Sequence, residues 1–164
     1  MAKKQKTNAV RILEQQKIDF ELIEYELSGD KVDGVTVANK IGYPVFVVFK
    51  TLLVSNGAGN YFVCIIPVNN ELNLKAIAKV VGEKKVELLP LKDLLPTTGY
   101  IRGGCSPIGM KKLFPTVVDA SAENKDFIIV SGGKIGLQVK LALADLLKIT
   151  KGKVAAISKL ENDS

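Results

Sequence analysis

Histidine is absent from all 164 residues. This removes the usual general base and the commonest transition-metal ligand, so serine–histidine and cysteine–histidine hydrolase schemes are excluded and no metal is expected. Cysteine is nearly as scarce. Cys64 and Cys105 stand far apart and outside any metal-ligand spacing, which argues against a disulfide framework, and nothing suggests an oxidising compartment. No apolar run reaches the roughly 20 residues that span a bilayer, because Val45–Val54 is interrupted at Lys50. The N-terminal Met1-Ala-Lys-Lys-Gln-Lys6 is polar, with no apolar signal core after it. A soluble cytoplasmic protein without a membrane partner is expected.

Arginine occurs only as Arg11 and Arg102, so the net charge of +6 rests almost wholly on lysine. Such a balance suits a polyanion such as nucleic acid, since neutralised phosphates release counterions, and it equally suits a surface of solvated lysines. Lys84-Lys85 and Lys111-Lys112 carry the same two readings. With 47% hydrophobic residues the chain can bury a core of its own as one compact domain. Residues 1–6 and 160–164 are expected to be disordered or frayed, leaving 7–159 as the folded unit.

Thr7 is placed to cap a helix over roughly 8–17, with Ala9, Val10 and Leu13 on its apolar side. A strand follows over Phe20–Tyr25, its imperfect alternation suggesting protein on both faces, and Gly29, Asp30 and Gly34 mark a loop. Thr36 opens a short helix that Gly42 ends. The Lys50 segment and Tyr61–Pro67 form a hairpin around Ser55-Asn-Gly-Ala-Gly-Asn60. From Asn73, Leu74, Ile77, Ala78 and Val81 follow helical spacing up to Gly82. Val86–Leu89 reads as a strand, Leu91–Leu95 as a helix between Pro90 and Pro96, and Thr116–Asp119 and Phe127–Val130 as strands. Leu137, Val139 and Leu141 alternate as a strand, Leu143, Leu146 and Leu147 belong to a last helix, and Val154–Ile157 closes the chain. Without the regular alternation of a doubly wound fold, the expectation is α+β: a single domain with a mixed, mostly antiparallel, curled or barrel-like sheet and flanking helices.

Lys50 is the cation with the most apolar neighbours. Its stem either covers apolar side chains at a strand edge while the ammonium reaches water, or the ammonium points into a cleft toward an anionic ligand. Thr51 offers a hydroxyl on the opposite strand face. In Gly103-Gly-Cys-Ser-Pro-Ile-Gly109, glycine permits backbone that turns the amides around Cys105 and Ser106 inward, with Pro107 stiffening the turn. Ser131-Gly132-Gly133 repeats this chemistry after a buried strand, so two donor-rich turns can face one pocket. Neither segment is a phosphate loop or a dinucleotide fingerprint. Cys105 has no general base near it in sequence and reads as a pocket-lining residue rather than a nucleophile.

Together, Phe49-Lys-Thr-Leu-Leu-Val54, Thr98-Gly-Tyr-Ile-Arg-Gly-Gly-Cys-Ser-Pro-Ile-Gly-Met-Lys-Lys112 and Val130-Ser-Gly-Gly-Lys134 resemble the YbaK/EbsC family of aminoacyl-tRNA deacylases, nearly end to end. The resemblance implies removal of mischarged cysteine from tRNA(Pro), in trans beside prolyl-tRNA synthetase and without a cofactor. It implies that Lys50 holds the terminal adenosine or its phosphate, that Tyr25, Thr51 and Ser131 line the same pocket, and that the amides of Gly103 and Gly104 polarise the ester carbonyl. It further implies that the substrate's own thiol attacks, so that the enzyme is a lyase if a thiolactone leaves and a hydrolase otherwise. Cys105 stands where other members carry an aliphatic residue, and Gln138 where some carry an acid. Release of alanine from tRNA(Pro) by water, and a non-catalytic module binding tRNA or a nucleotide, are the alternatives.

Overall fold

The computed structural model describes residues 6–26 and 33–160, so Gly29, Asp30 and nearly all of both expected frayed ends lie outside the described residues. Helix α1, Asn8–Gln15, starts where Thr7 accepts a hydrogen bond from the Val10 amide, and it buries Ala9, Val10 and Leu13 as its spacing requires. Strand β1 is Phe20–Glu24; Phe20 and Ile23 are half-buried, but Leu22 remains exposed. Helix α2 spans Gly34–Ile41, starting two residues earlier than expected. Its cap is Asp33, whose carboxylate accepts from the Thr36 amide and hydroxyl, so Gly34 is helical rather than part of a loop.

Strands β2, Phe49–Ser55, and β3, Tyr61–Pro67, form the anticipated hairpin, with Phe49 opposite Pro67 and Ser55 opposite Tyr61. After β4, Asn70–Leu72, helix α3 spans Leu74–Val81 between an Asn73 cap and a left-handed Gly82. Strand β5 is only Glu87–Leu88. Helix α4, Leu91–Thr98, runs through Pro96; the carbonyl that the missing amide leaves without a helical partner is that of exposed Lys92, while Thr98 and Gly99 bond back to Leu94 and Leu95.

Strand β6, Thr116–Asp119, leads through a 3-10 turn to β7, Ile128–Lys134. The Ser131–Lys134 segment, read as a loop, is therefore strand. Ser131 pairs with Gln138 and Lys134 with Leu137 of β8, Leu137–Leu141, and Gly132-Gly133 forms the intervening bulge. Helix α5, Leu143–Thr150, precedes two short strands where one was expected: β9, Lys153–Ala155, and β10, Ser158–Leu160.

The result is a single α+β domain. A five-stranded sheet in the order β5-β2-β3-β6-β9 stands beside a three-stranded sheet β1-β8-β7 and a pair β10-β4. Most pairings are antiparallel, β3-β6 and β6-β9 being parallel, and among the described residues the sheets do not close into a barrel. One face of the larger sheet packs Phe49, Leu53 and Ile65 against α1, α5 and the inner face of the smaller sheet; the other packs Val54, Cys64 and Ile66 against α3. The sheets touch where Val48 bridges Ile129, and the Val47 carbonyl accepts the Ile129 amide at 2.8 Å. Farther along the same edge of β2, the Leu53 carbonyl accepts the Leu89 amide at 2.9 Å. Between these two ties, this edge of β2 has no partner strand among the described residues.

Candidate functional site

A cleft of about 600 Å3 opens in that gap, within the roughly 300–1,000 Å3 of small-molecule sites. Successive residues of a strand face opposite ways, yet both Lys50 and Thr51 line it, because the cleft wraps around the free edge of β2. Asp33, Gly34 and Val35 at the start of α2 form one wall with Val68; Leu88, Leu91 and Leu94 from β5 and α4 form the other. Arg102, Gly103 and Cys105 also line it, with Ser131 and Gln138 from the smaller sheet. Thr51 Oγ1 is buried without a hydrogen-bond partner among the described residues, a costly state that a bound polar group would relieve. Tyr25 Oη is in the same state, although Tyr25 is not among the lining residues.

The two glycine segments meet, but largely back to back. A Cβ on Gly104 would stand 2.9 Å from Lys134 Cα, so only glycine lets this loop lie on the turn between β7 and β8. The Gly104 amide is already used, donating to the Ile101 carbonyl at 2.9 Å, and among these residues Gly103, with φ +85°, and Cys105 line the cleft. Ser106 is fully buried and its Oγ accepts the Ile108 amide at 3.2 Å. Pro107 and Gly109 line a separate cavity of about 200 Å3 beside Ile12 and Ile149. Ser131 Oγ accepts the Gly133 amide at 3.2 Å, while Gly132 packs on Leu137 and Gly133 near Thr7 and Tyr100.

The start of α1 ties both segments down. The Thr7 hydroxyl donates to the Gly132 carbonyl, and Asn8 Nδ2 donates to the Gly109 carbonyl at 2.8 Å. Tyr100 Oη adds a bond to the Ile108 carbonyl at 2.7 Å. Burial pushes the Cys105 thiol up to about 12, offset only in part by a hydrogen bond with Thr98, so it is protonated and a poor nucleophile near neutral pH.

Arg102 and both side walls went unremarked as site residues in the sequence. Arg102 carried a signal, as one of two arginines immediately before Gly103-Gly104. The wall residues Leu88, Leu91 and Leu94 did not, because leucines in short elements read as core.

Residues 30–149 match the family model of the aminoacyl-tRNA editing domain. The chain is 48% identical over 164 residues to EbsC of Enterococcus faecalis, a protein named for Cys-tRNA(Pro)/Cys-tRNA(Cys) deacylation, across 98% of this chain and 100% of that one. A proline–tRNA ligase of Trichlorobacter lovleyi matches at 29% identity over 101 residues, 61% of this chain and 18% of the ligase. A solved structure described as a trans-editing enzyme for prolyl-tRNA synthetase shares the fold, with TM-score 0.81 at 20% identity, covering 95% of this chain and 99% of that one.

Proposed function

The chain belongs to the aminoacyl-tRNA editing domain family, and from that premise we propose that it is a trans-acting deacylase that releases mischarged cysteine from tRNA(Pro). The observation that carries the reading is the cleft itself, which sets Lys50 and the Gly103 loop about one cavity in a chain without histidine. Such a site works by positioning and electrostatics rather than by a nucleophile and base.

In this reading Lys50 holds the terminal adenosine through its phosphate or hydroxyls, and Thr51 and Ser131 line the nucleoside's berth. Gly104's amide being engaged, the amides of Gly103 and Cys105 are the loop's candidates to polarise the ester carbonyl. The cysteinyl thiol of the substrate then attacks its own carbonyl carbon. A sulfur–carbon bond forms, the ester carbon–oxygen bond breaks, and the thiol proton passes to the departing ribose oxygen, leaving a thiolactone and free tRNA. The protonated state of Cys105 supports the substrate, not the protein, as the source of the nucleophile. The likeness to part of a proline–tRNA ligase supports work alongside prolyl-tRNA synthetase in the cytoplasm.

Release of amino acid from Cys-tRNA(Pro), Ala-tRNA(Pro) and Pro-tRNA(Pro), by wild type and Lys50→Ala, tests the proposal. Rapid loss of cysteine alone is expected, slowed about 100-fold or more by the substitution. Faster release of alanine would replace the thiol mechanism by one using water, and release unaffected by Lys50→Ala would displace the site.

A further inference from the structure

The two rims of the cleft differ in chemistry. On the β5–α4 side Leu88, Leu91 and Leu95 are each more than half exposed, as is Ile101 next to Arg102. Leu88, Leu91 and Arg102 also line the cleft, so this apolar surface is continuous with it. Leu91 and Leu95 lie four residues apart on α4 and thus side by side on one helix face. Exposed apolar side chains gathered at a cleft mouth mark a surface that meets a partner. Cations edge it: Lys92 and Arg102 are exposed, and the Lys111 ammonium sits at the end of α4, donating to the Pro96 carbonyl at 3.2 Å; of the carboxylates on this side, Glu87 is paired with Lys85 at 3.2 Å and Asp93 lies in the first turn of α4. The opposite wall begins instead with the Asp33 carboxylate at the cap of α2.

A cleft of about 600 Å3 takes one aminoacyl-nucleoside, so the rest of an RNA strand has to leave over a rim. The β5–α4 side sets exposed cations beside apolar side chains, which together can meet the phosphates and the apolar base faces of a single strand. We propose that the rim formed by Leu88, Leu91, Leu95 and Ile101 is a shelf for the unpaired nucleotides preceding the terminal adenosine, with Arg102 meeting their phosphates. The identity of the RNA as a tRNA 3′ end rests on the deacylase reading; the shelf rests on the rim.

The test compares wild type with the Leu95→Ser/Ile101→Ser double variant, both positions being exposed and neither lining the cleft, and with Leu113→Ser, an exposed leucine beside the smaller cavity, as control. Fluorescence anisotropy with a 5′-labelled CCA trinucleotide should show about tenfold weaker binding by the double variant and no change in the control. KM for Cys-tRNA(Pro) should rise by a similar factor with kcat unchanged, while cleavage of 3′-O-cysteinyl-adenosine, which has nothing to lay on the shelf, stays as in wild type. Equal trinucleotide binding by wild type and double variant overturns the shelf. So does loss of binding to prolyl-tRNA synthetase with RNA binding intact, which makes the rim a protein-docking face. If wild type cleaves neither ester, the deacylase reading falls, and the anisotropy comparison still decides the shelf.

Discussion

Cys105 lines the cleft and yet is held out of its chemistry by burial, and the same physics gives the folded protein a pH signature. Burial pushes both Cys64 and Cys105 from an ordinary value of 9.0 up to about 12. In the unfolded chain these thiols ionise near pH 9, while the folded chain keeps its protons until about 12. The folded state therefore binds more protons across that window, and stability falls as pH rises through it, being fully present below pH 9. Tyr100, raised from 10.0 to about 12 chiefly by burial and then by the neighbouring Cys105, adds in the same direction. Melting temperatures recorded from pH 8 to 11 should decline, and more shallowly in the Cys64→Ala/Cys105→Ala variant; identical slopes would contradict the buried-thiol account. Cys105→Ala alone should leave release of cysteine from tRNA(Pro) near the wild-type rate, since the residue supplies a wall and not a nucleophile. Lys50 and the Gly103 loop stood out in the sequence because a lone cation in an apolar run and a paired glycine are local anomalies. The engagement of the Gly104 amide did not, since it depends on how a turn closes in three dimensions.

Thr7 does two things at the element scale, capping α1 and holding the β7 bulge through the Gly132 carbonyl. Thr7→Val removes both hydrogen bonds with little change in volume and should cost about 1–2 kcal/mol in chemical denaturation, near the upper end for a cap alone. Gly104→Ala acts on the neighbouring contact: its Cβ meets backbone at 2.9 Å, which cannot yield as a flexible side chain does, so a loss of about 1–3 kcal/mol is expected. A Gly104→Ala protein as stable as wild type would mean that the loop does not lie on the β7–β8 turn. The elements legible in the sequence, α3 and the β2–β3 hairpin among them, are those whose periodicity and stop signals are local. Strand β4 was missed because its partner β10 lies at the far end of the chain, where only tertiary contact creates the pairing. Likewise Gly132-Gly133 reads as a loop by composition, and becomes a bulge only because β8 continues the ladder on its far side.

For the molecule as a whole, the net charge of +6 is distributed unevenly in effect. Two lysines are engaged with neighbouring side chains: Lys85 lies 3.2 Å from Glu87, Lys140 3.6 Å from Glu21, and the Lys140 ammonium 4.2 Å from the centre of the Phe127 ring. These exposed pairs contribute little to stability, and their local field is largely cancelled. The cations at the cleft and its α4 rim are differently placed, edging the gap that incomplete pairing of β2 leaves between the two sheets. If RNA leaves over that rim, its affinity should fall with salt by about 0.7 log unit per log unit of salt for each phosphate neutralised. Arg102→Ala should then flatten the slope by about that amount, whereas Lys85→Ala should leave it unchanged. Anisotropy titrations of the labelled trinucleotide between 50 and 300 mM salt, about a sixfold range, resolve the difference. Equal slopes for wild type and Arg102→Ala would show that no phosphate passes Arg102, and would direct the strand toward the α2 side.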